Sequence, residues 1–163
     1  MARDWLTLRR GRRSAFGVLT EFGIMSPPVP IFELAAWMGV PVLRVSEPGW
    51  SGALHVVEDP PRVQVWLRAE DSLVRQRFTL AHELGHLLLR HPGPVFRDAN
   101  FVGNLEEQAA NGYAAKLLMP EPWVQEYLDR TNWDLAQVAS LFQVSPEAMR
   151  IRANRILGMA TPY

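Results

Sequence analysis

The sequence predicts an α+β fold: a small three-stranded sheet, antiparallel or mixed, packed on helices and followed by a C-terminal segment of helix-turn-helix character. Three observations lead there. Residues 53–57 and 62–67 are short β-prone runs on either side of Asp59-Pro60-Pro61 and read as a hairpin. Residues 78–91 and 104–118 carry apolar side chains at helical spacing. Beyond Met119-Pro120 come three shorter helical stretches, about residues 121–129, 134–142 and 146–157. With 163 residues, 48% of them hydrophobic, the chain suits one domain with one core. Residues 1–120 are expected to form that core, and 121–163 a helical segment packed on it as one compact unit.

The elements follow in order. Residues 3–23 read as a helix with Trp5, Leu8, Ala15, Leu19 and Phe22 turned inward and Arg9-Arg10-Gly11-Arg12-Arg13 on its exposed face. That basic run does not open a secretory signal. Glu21 interrupts the apolar stretch behind it, and Ser26-Pro27-Pro28 stands where small cleavage-site residues belong. The prolines between Ser26 and Pro30 stop the helix. A short helix from Ile31 to Met38 ends at Gly39, and Val40–Val45 reads as a strand whose Pro41 places its start at a sheet edge.

The stretch from Phe78 to His91 contains His82-Glu83-Leu84-Gly85-His86. Four residues apart on a helix, two imidazoles leave the same face and can converge on one metal ion. Glu83 beside them is placed to take a proton from a metal-bound water. Apolar neighbours on the other faces sink this helix in a core, and Gly85 leaves room for a neighbouring element. A hydrolytic metal site takes a third protein ligand and keeps one position for water. Glu107 is the choice for it, ahead of Glu106. On a helix over 104–118, capped by Asn104, Glu107 shares a face with Ala110, Asn111, Ala114 and Leu118. The small side chains permit close approach, and Asn111, one turn on, can orient a ligand from behind.

The run Arg75-Gln-Arg-Phe-Thr-Leu-Ala-His-Glu-Leu-Gly-His-Leu-Leu-Leu, with Glu107-x-x-Ala-Asn111-x-Tyr-Ala-Ala-Lys-Leu-Leu-Met-Pro120, resembles the ImmA/IrrE family of zinc metallo-endopeptidases. Gly39-Val-Pro-Val-Leu, Gly52-Ala-Leu and Phe142-x-Val-Ser-x-x-Ala-Met-x-x-Arg extend the likeness over most of 28–157, with departures at Arg68-Ala69 and Ala109. The resemblance implies a zincin-like metallopeptidase fold and a cytoplasmic protease that cleaves a helix-turn-helix repressor or an antitoxin-like partner, in transcription regulation and stress response. It also implies zinc, with manganese as the alternative metal, held by His82, His86 and Glu107, with Glu83 as the general base. In proteases of this build a strand beside the metal helix binds extended substrate through its backbone, and residues 62–68 are expected to do so here.

Two further histidines are read as outside the metal site. His55 on a strand is a surface residue, or else a group that faces the cleft and assists the reaction. His91 ends the metal helix, where a partly cationic ring suits the C-terminal dipole; five residues beyond His86, it faces elsewhere. Residues 92–104, with Phe96 and Phe101, form a loop long enough to overhang a cleft.

In the C-terminal segment, residues 138–151 resemble a helix-turn-helix, with Ala139 at the close-packing position and Ser145-Pro146 opening the second helix. Arg150, Arg152 and Arg155 are the residues that would meet phosphates if 138–155 touched DNA. The competing reading of the whole chain is thus a non-catalytic module that binds a repressor or DNA through 121–157. Composition weighs against a nucleic-acid or membrane partner: Lys plus Arg equals Asp plus Glu at 17 each, and no run approaches the roughly 18 apolar residues that cross a bilayer. The absence of cysteine removes thiolate ligands and fits a reducing, cytoplasmic compartment.

Overall fold

The computed structural model of the chain describes residues 13–46, 49–58, 61–91 and 105–159, with backbone only for Val57 and Glu58. The expectations for Trp5, Leu8 and Arg9–Arg12, for the Asn104 cap and for the 92–104 loop lie outside the described residues. Ser14 adopts an extended conformation and its hydroxyl accepts from the Gly17 amide at 3.0 Å, so the first described helix starts there. This helix, α1, is Ala15–Glu21 and buries Ala15, Val18 and Leu19. A helix continuous over 3–23 is therefore corrected: the capping geometry at Ser14 interrupts it. Arg13, from the basic run, pairs with Glu21 across α1. Helix α2, Ile31–Trp37, is capped by Met38 and closed by Gly39 at φ 73, a left-handed turn that glycine takes without strain.

Strands β1 (Val42–Val45), β2 (Gly52–Glu58) and β3 (Pro61–Arg68) form one sheet in the order β1-β3-β2. β1 runs parallel to β3, with Val42 opposite Val65, and β2 runs antiparallel, with Leu54 opposite Val65. The sheet is mixed. Alternation puts Val63, Val65 and Leu67 in the core and leaves Gln64 and Trp66 half-buried on the other face. The expectation that 62–68 binds extended peptide is overturned by this order. β3 is the central strand, and its backbone groups are engaged by neighbours on both sides.

Helix α3, Leu73–Leu89, starts at Ser72, whose hydroxyl accepts from the Arg75 amide at 3.2 Å. It ends where Arg90 turns left-handed, at φ 62. Leu80, Leu84 and Leu88 on it have no exposure, and burying each contributes about 2 kcal/mol. Helices α4 (Leu105–Leu118), α5 (Glu121–Arg130), α6 (Leu135–Phe142) and α7 (Pro146–Ile156) follow, all four within a few residues of their expected spans. The fold is α+β, and one cluster of buried apolar side chains runs from Ala15 through Leu84 and Leu117 to Ala153. None of the described helices is long and apolar enough to cross a membrane.

The α6–α7 pair has the expected turn, but its polar residues serve the core. Gln143 is left-handed at φ 53, an unfavourable conformation for a side-chain-bearing residue. Arg77 of α3, 4% exposed, stabilises it by donating to the Gln143 carbonyl at 3.1 Å, and also to the Val29 carbonyl at 3.0 Å. Arg152 is buried and donates from Nε to the Met119 carbonyl at 2.9 Å, while Arg150 grips Glu147 through two bonds of 2.6 and 3.0 Å. Of the three arginines suggested for phosphate contact, two are thus committed within the chain.

Candidate metal centre

Four buried polar residues stand where α3 crosses α4: His82 and His86 at 1% exposure, Glu83 at 2% and Glu107 at 7%. Gly85 sets the approach. A Cβ there would lie 3.2 Å from the Ala110 carbonyl oxygen and 3.3 Å from Cβ of Tyr113, so only glycine lets α4 come this near without displacement. Tyr113 itself is buried, and burial holds its phenol above the ordinary range.

At this crossing the Nε2 atoms of His82 and His86 are 3.0 Å apart. Glu107 places one carboxylate oxygen 3.1 Å from the first and the other 3.3 Å from the second. Ligands held tetrahedrally at zinc distances stand about 3.3 Å from one another. The three side chains therefore fit a small divalent cation, and they are the one such cluster of ligating groups among the described residues. Glu106 is half-buried beside them, so burial and direction separate the two glutamates.

Each imidazole is held from behind. His82 Nδ1 lies 3.0 Å from Asn111 Oδ1, which can only accept; the proton is on Nδ1, and Nε2 is left with its lone pair facing the cluster. His86 Nδ1 lies 2.8 Å from Nδ1 of His91. Two ring nitrogens at that distance share one proton. If His86 donates it, His91 is a neutral acceptor carrying its own proton on Nε2. A cationic His91, the state suited to a helix dipole, has no lone pair to offer and would reverse the arrangement. The expectation for His91 is corrected in its position and its partner. It lies beyond the helix, the left-handed Arg90 folds it back, and its amide donates to the His86 carbonyl at 3.1 Å. Sequence spacing missed this partner because helical geometry stops at Leu89.

Glu83 is reached from the sheet side. A Cβ on Gly52, the first residue of β2, would fall 2.2 Å from Cγ2 of Thr79 and 3.5 Å from Oε1 of Glu83. β2 thus lies against the carboxylate, and Gly52 is a second residue that spacing gave no reason to single out. His55 is on the opposite face of the sheet. It alternates away from Gly52 and Leu54 and sits by Gln64, at 3.5 Å, and the Trp66 ring, at 6.1 Å between centroids. The structure does not bring it to the metal residues.

Comparison with known proteins gives two findings. Over 96 residues the chain is 36% identical to the radiation response metalloprotease IrrE of Deinococcus radiodurans, an alignment covering 53% of this chain and 29% of that protein. This chain therefore matches less than a third of its relative's length. The model of the IrrE N-terminal-like domain, a peptidase family, matches residues 36–154, a span that takes in the sheet, the α3–α4 crossing and nearly all of the C-terminal helices. With that match covering most of its length, the chain belongs to the IrrE N-terminal-like family of metallopeptidases.

Proposed function

We propose that the chain is a zinc-dependent endopeptidase in which His82, His86 and Glu107 hold the metal, Glu83 is the general base, and the substrate is a helix-turn-helix repressor or an antitoxin-like partner. The observation that carries the metal and the base is the convergence of two Nε2 atoms and a carboxylate within 3.3 Å of each other, with a further buried carboxylate next in sequence. Among the described residues no fourth ligating group joins the three, as a hydrolytic site with an open position requires. The repressor as substrate rests on the family resemblance.

A divalent cation bound there supplies Lewis acidity, polarising the scissile carbonyl and acidifying water. Glu83 takes the proton of the attacking water and passes it to the departing amine. Asn111 and His91 keep both imidazoles in the Nε2-ligating tautomer. The strand available to pair with extended peptide is β2: it is an edge of the sheet and starts against Glu83, in the place first given to 62–68. The rival reading, a module that touches DNA through 138–155, draws little support from arginines already engaged with Glu147 and Met119.

The test is to incubate the metal-loaded chain with the repressor encoded nearest its own gene, with and without chelator, beside a Glu83→Gln variant. Cleavage that needs both metal and Glu83 is the expected result. An intact repressor whose DNA binding nevertheless changes would reject the peptidase reading in favour of the module.

A further inference from the structure

Helix α7 packs on α6 and α5, yet it faces α3 and α4 across a row of adjoining cavities. One, of about 430 Å³, lies between Phe78 of α3, Asn111 of α4, Met119 just after α4 and Ile151 of α7. The next, of about 340 Å³, shares Phe78, Ala148 and Ile151 with it. A third, of about 360 Å³, adjoins through Val74 and Val144. On α7 the lining residues Ala148, Ile151 and Arg155 fall at intervals of three and four, a single helical stripe about 10 Å long, with Val144 just before the helix lining the cavities beyond it. The depression is therefore a groove with an apolar floor, long enough along α7 for about three residues of extended chain at about 3.3 Å each.

Its charge is one-sided. Lys116, Arg152 and Arg155 line the cavity at the α4 end, with no carboxylate among its described lining residues. Arg152 is held in place by the Met119 carbonyl; burial lowers its pKa, and the Glu121 carboxylate opposes that shift more than the neighbouring Arg155 adds to it, which leaves the exposed Lys116 and Arg155 as the cations open to a ligand. Glu147, the one acidic residue among the described residues that line the groove, is engaged by Arg150. The same end adjoins the metal centre: Asn111 lines the cavity and also accepts from His82.

We propose that this groove docks the protein substrate through a short apolar segment bearing acidic side chains, which Lys116 and Arg155 draw to the end beside the metal centre. The proposal takes its class of occupant from the peptidase reading above. An apolar floor and a cationic end suit an acidic amphipathic segment of a protein; a nucleic acid would leave Phe78, Ala148 and Ile151 without partners.

The probes are two fluorescein-labelled synthetic peptides in which leucines alternate with glutamates or with lysines, and a labelled DNA duplex. Binding is read by fluorescence anisotropy on the Glu83→Gln chain, with and without chelator. The glutamate peptide is expected to bind at least about fivefold more tightly than its lysine twin, as two ion pairs changed from attraction to repulsion would give. Lys116 and Arg155 are both exposed, so the double variant Lys116→Glu/Arg155→Glu folds, and it should invert the preference. Equal binding of the two peptides, an unchanged preference in the double variant, or binding of the duplex alone would overturn the groove's assignment. A chain that shows the preference but leaves the repressor intact loses the peptidase reading and keeps the groove. Repressor cleavage at equal rates by wild type and double variant does the reverse.

Discussion

The α3–α4 crossing and the α5–α7 segment both bury polar side chains, but they close them in different ways. Arg152 in that segment and Arg77, which reaches into it from the start of α3, at 9% and 4% exposure, end on the carbonyls of Met119, Val29, Phe142 and Gln143, so each guanidinium finds its partners inside the fold. His82, His86 and Glu107 are buried as deeply, yet two Nε2 atoms and a carboxylate meet at 3.0 to 3.3 Å, while the Nδ1 atoms hydrogen-bond to Asn111 and His91 behind them. One region is held by carbonyls of the fold; the other has the geometry that fits a divalent cation. Burial of polar groups is thus no sign of function by itself, and what separates the regions is whether donors and acceptors balance.

The comparison can be broken most directly at Glu83. Glu83→Gln removes a proton acceptor that no ligand role requires, so peptide hydrolysis should fall by about 10²–10⁴-fold while metal stays stoichiometric, measured by single-turnover cleavage and metal analysis. Next is the third ligand. Glu107→Ala should weaken metal retention more than about 100-fold, beyond what loss of an outer partner costs, and Glu106→Ala should leave it near wild type. Equal losses in a chelator competition would reassign the ligand.

Removing the partners behind the imidazoles gives a smaller effect. His91→Ala and Asn111→Ala should each loosen the metal about 10–100-fold, with thermal stability of the metal-free chain little changed. In the C-terminal region the pattern should reverse. Arg152→Met leaves the Met119 carbonyl without its donor and should cost about 1–3 kcal/mol in denaturant unfolding, with metal affinity untouched. The least effect belongs to Glu147→Gln at the exposed start of α7. The bond from Arg150 lowers the Glu147 carboxyl, so its contribution is present above the ordinary carboxylate range and is lost as pH falls through the lowered value. Wild type and variant should differ slightly at neutral pH and converge in acid.

Much of the crossing was legible in the chain because it depends on local periodicity. The i,i+4 histidines, the glycine between them and the small residues on the Glu107 face are all statements about one helix at a time, and the two helices formed nearly where expected. The errors fall where periodicity ends. Ser14 broke the N-terminal helix by capping it, and β3 became central because β1 adds in parallel on its far side, a pairing with no local signal. His91 became a partner of His86 only through the left-handed Arg90.

By itself the sequence determined the fold class, the helices that carry His82, His86 and Glu107, and the residue types able to bind a metal, since each follows from repeats of 3.6 or 2 residues and the chemistry of imidazole and carboxylate. Tertiary structure alone decided strand order, the hydrogen-bond partner behind each imidazole, and the fate of the arginines in and around the helix-turn-helix-like segment. Those depend on atoms far apart in the chain, as with Arg77 reaching Gln143 and Arg152 reaching Met119, and no local pattern encodes which carbonyl lies within reach of a guanidinium.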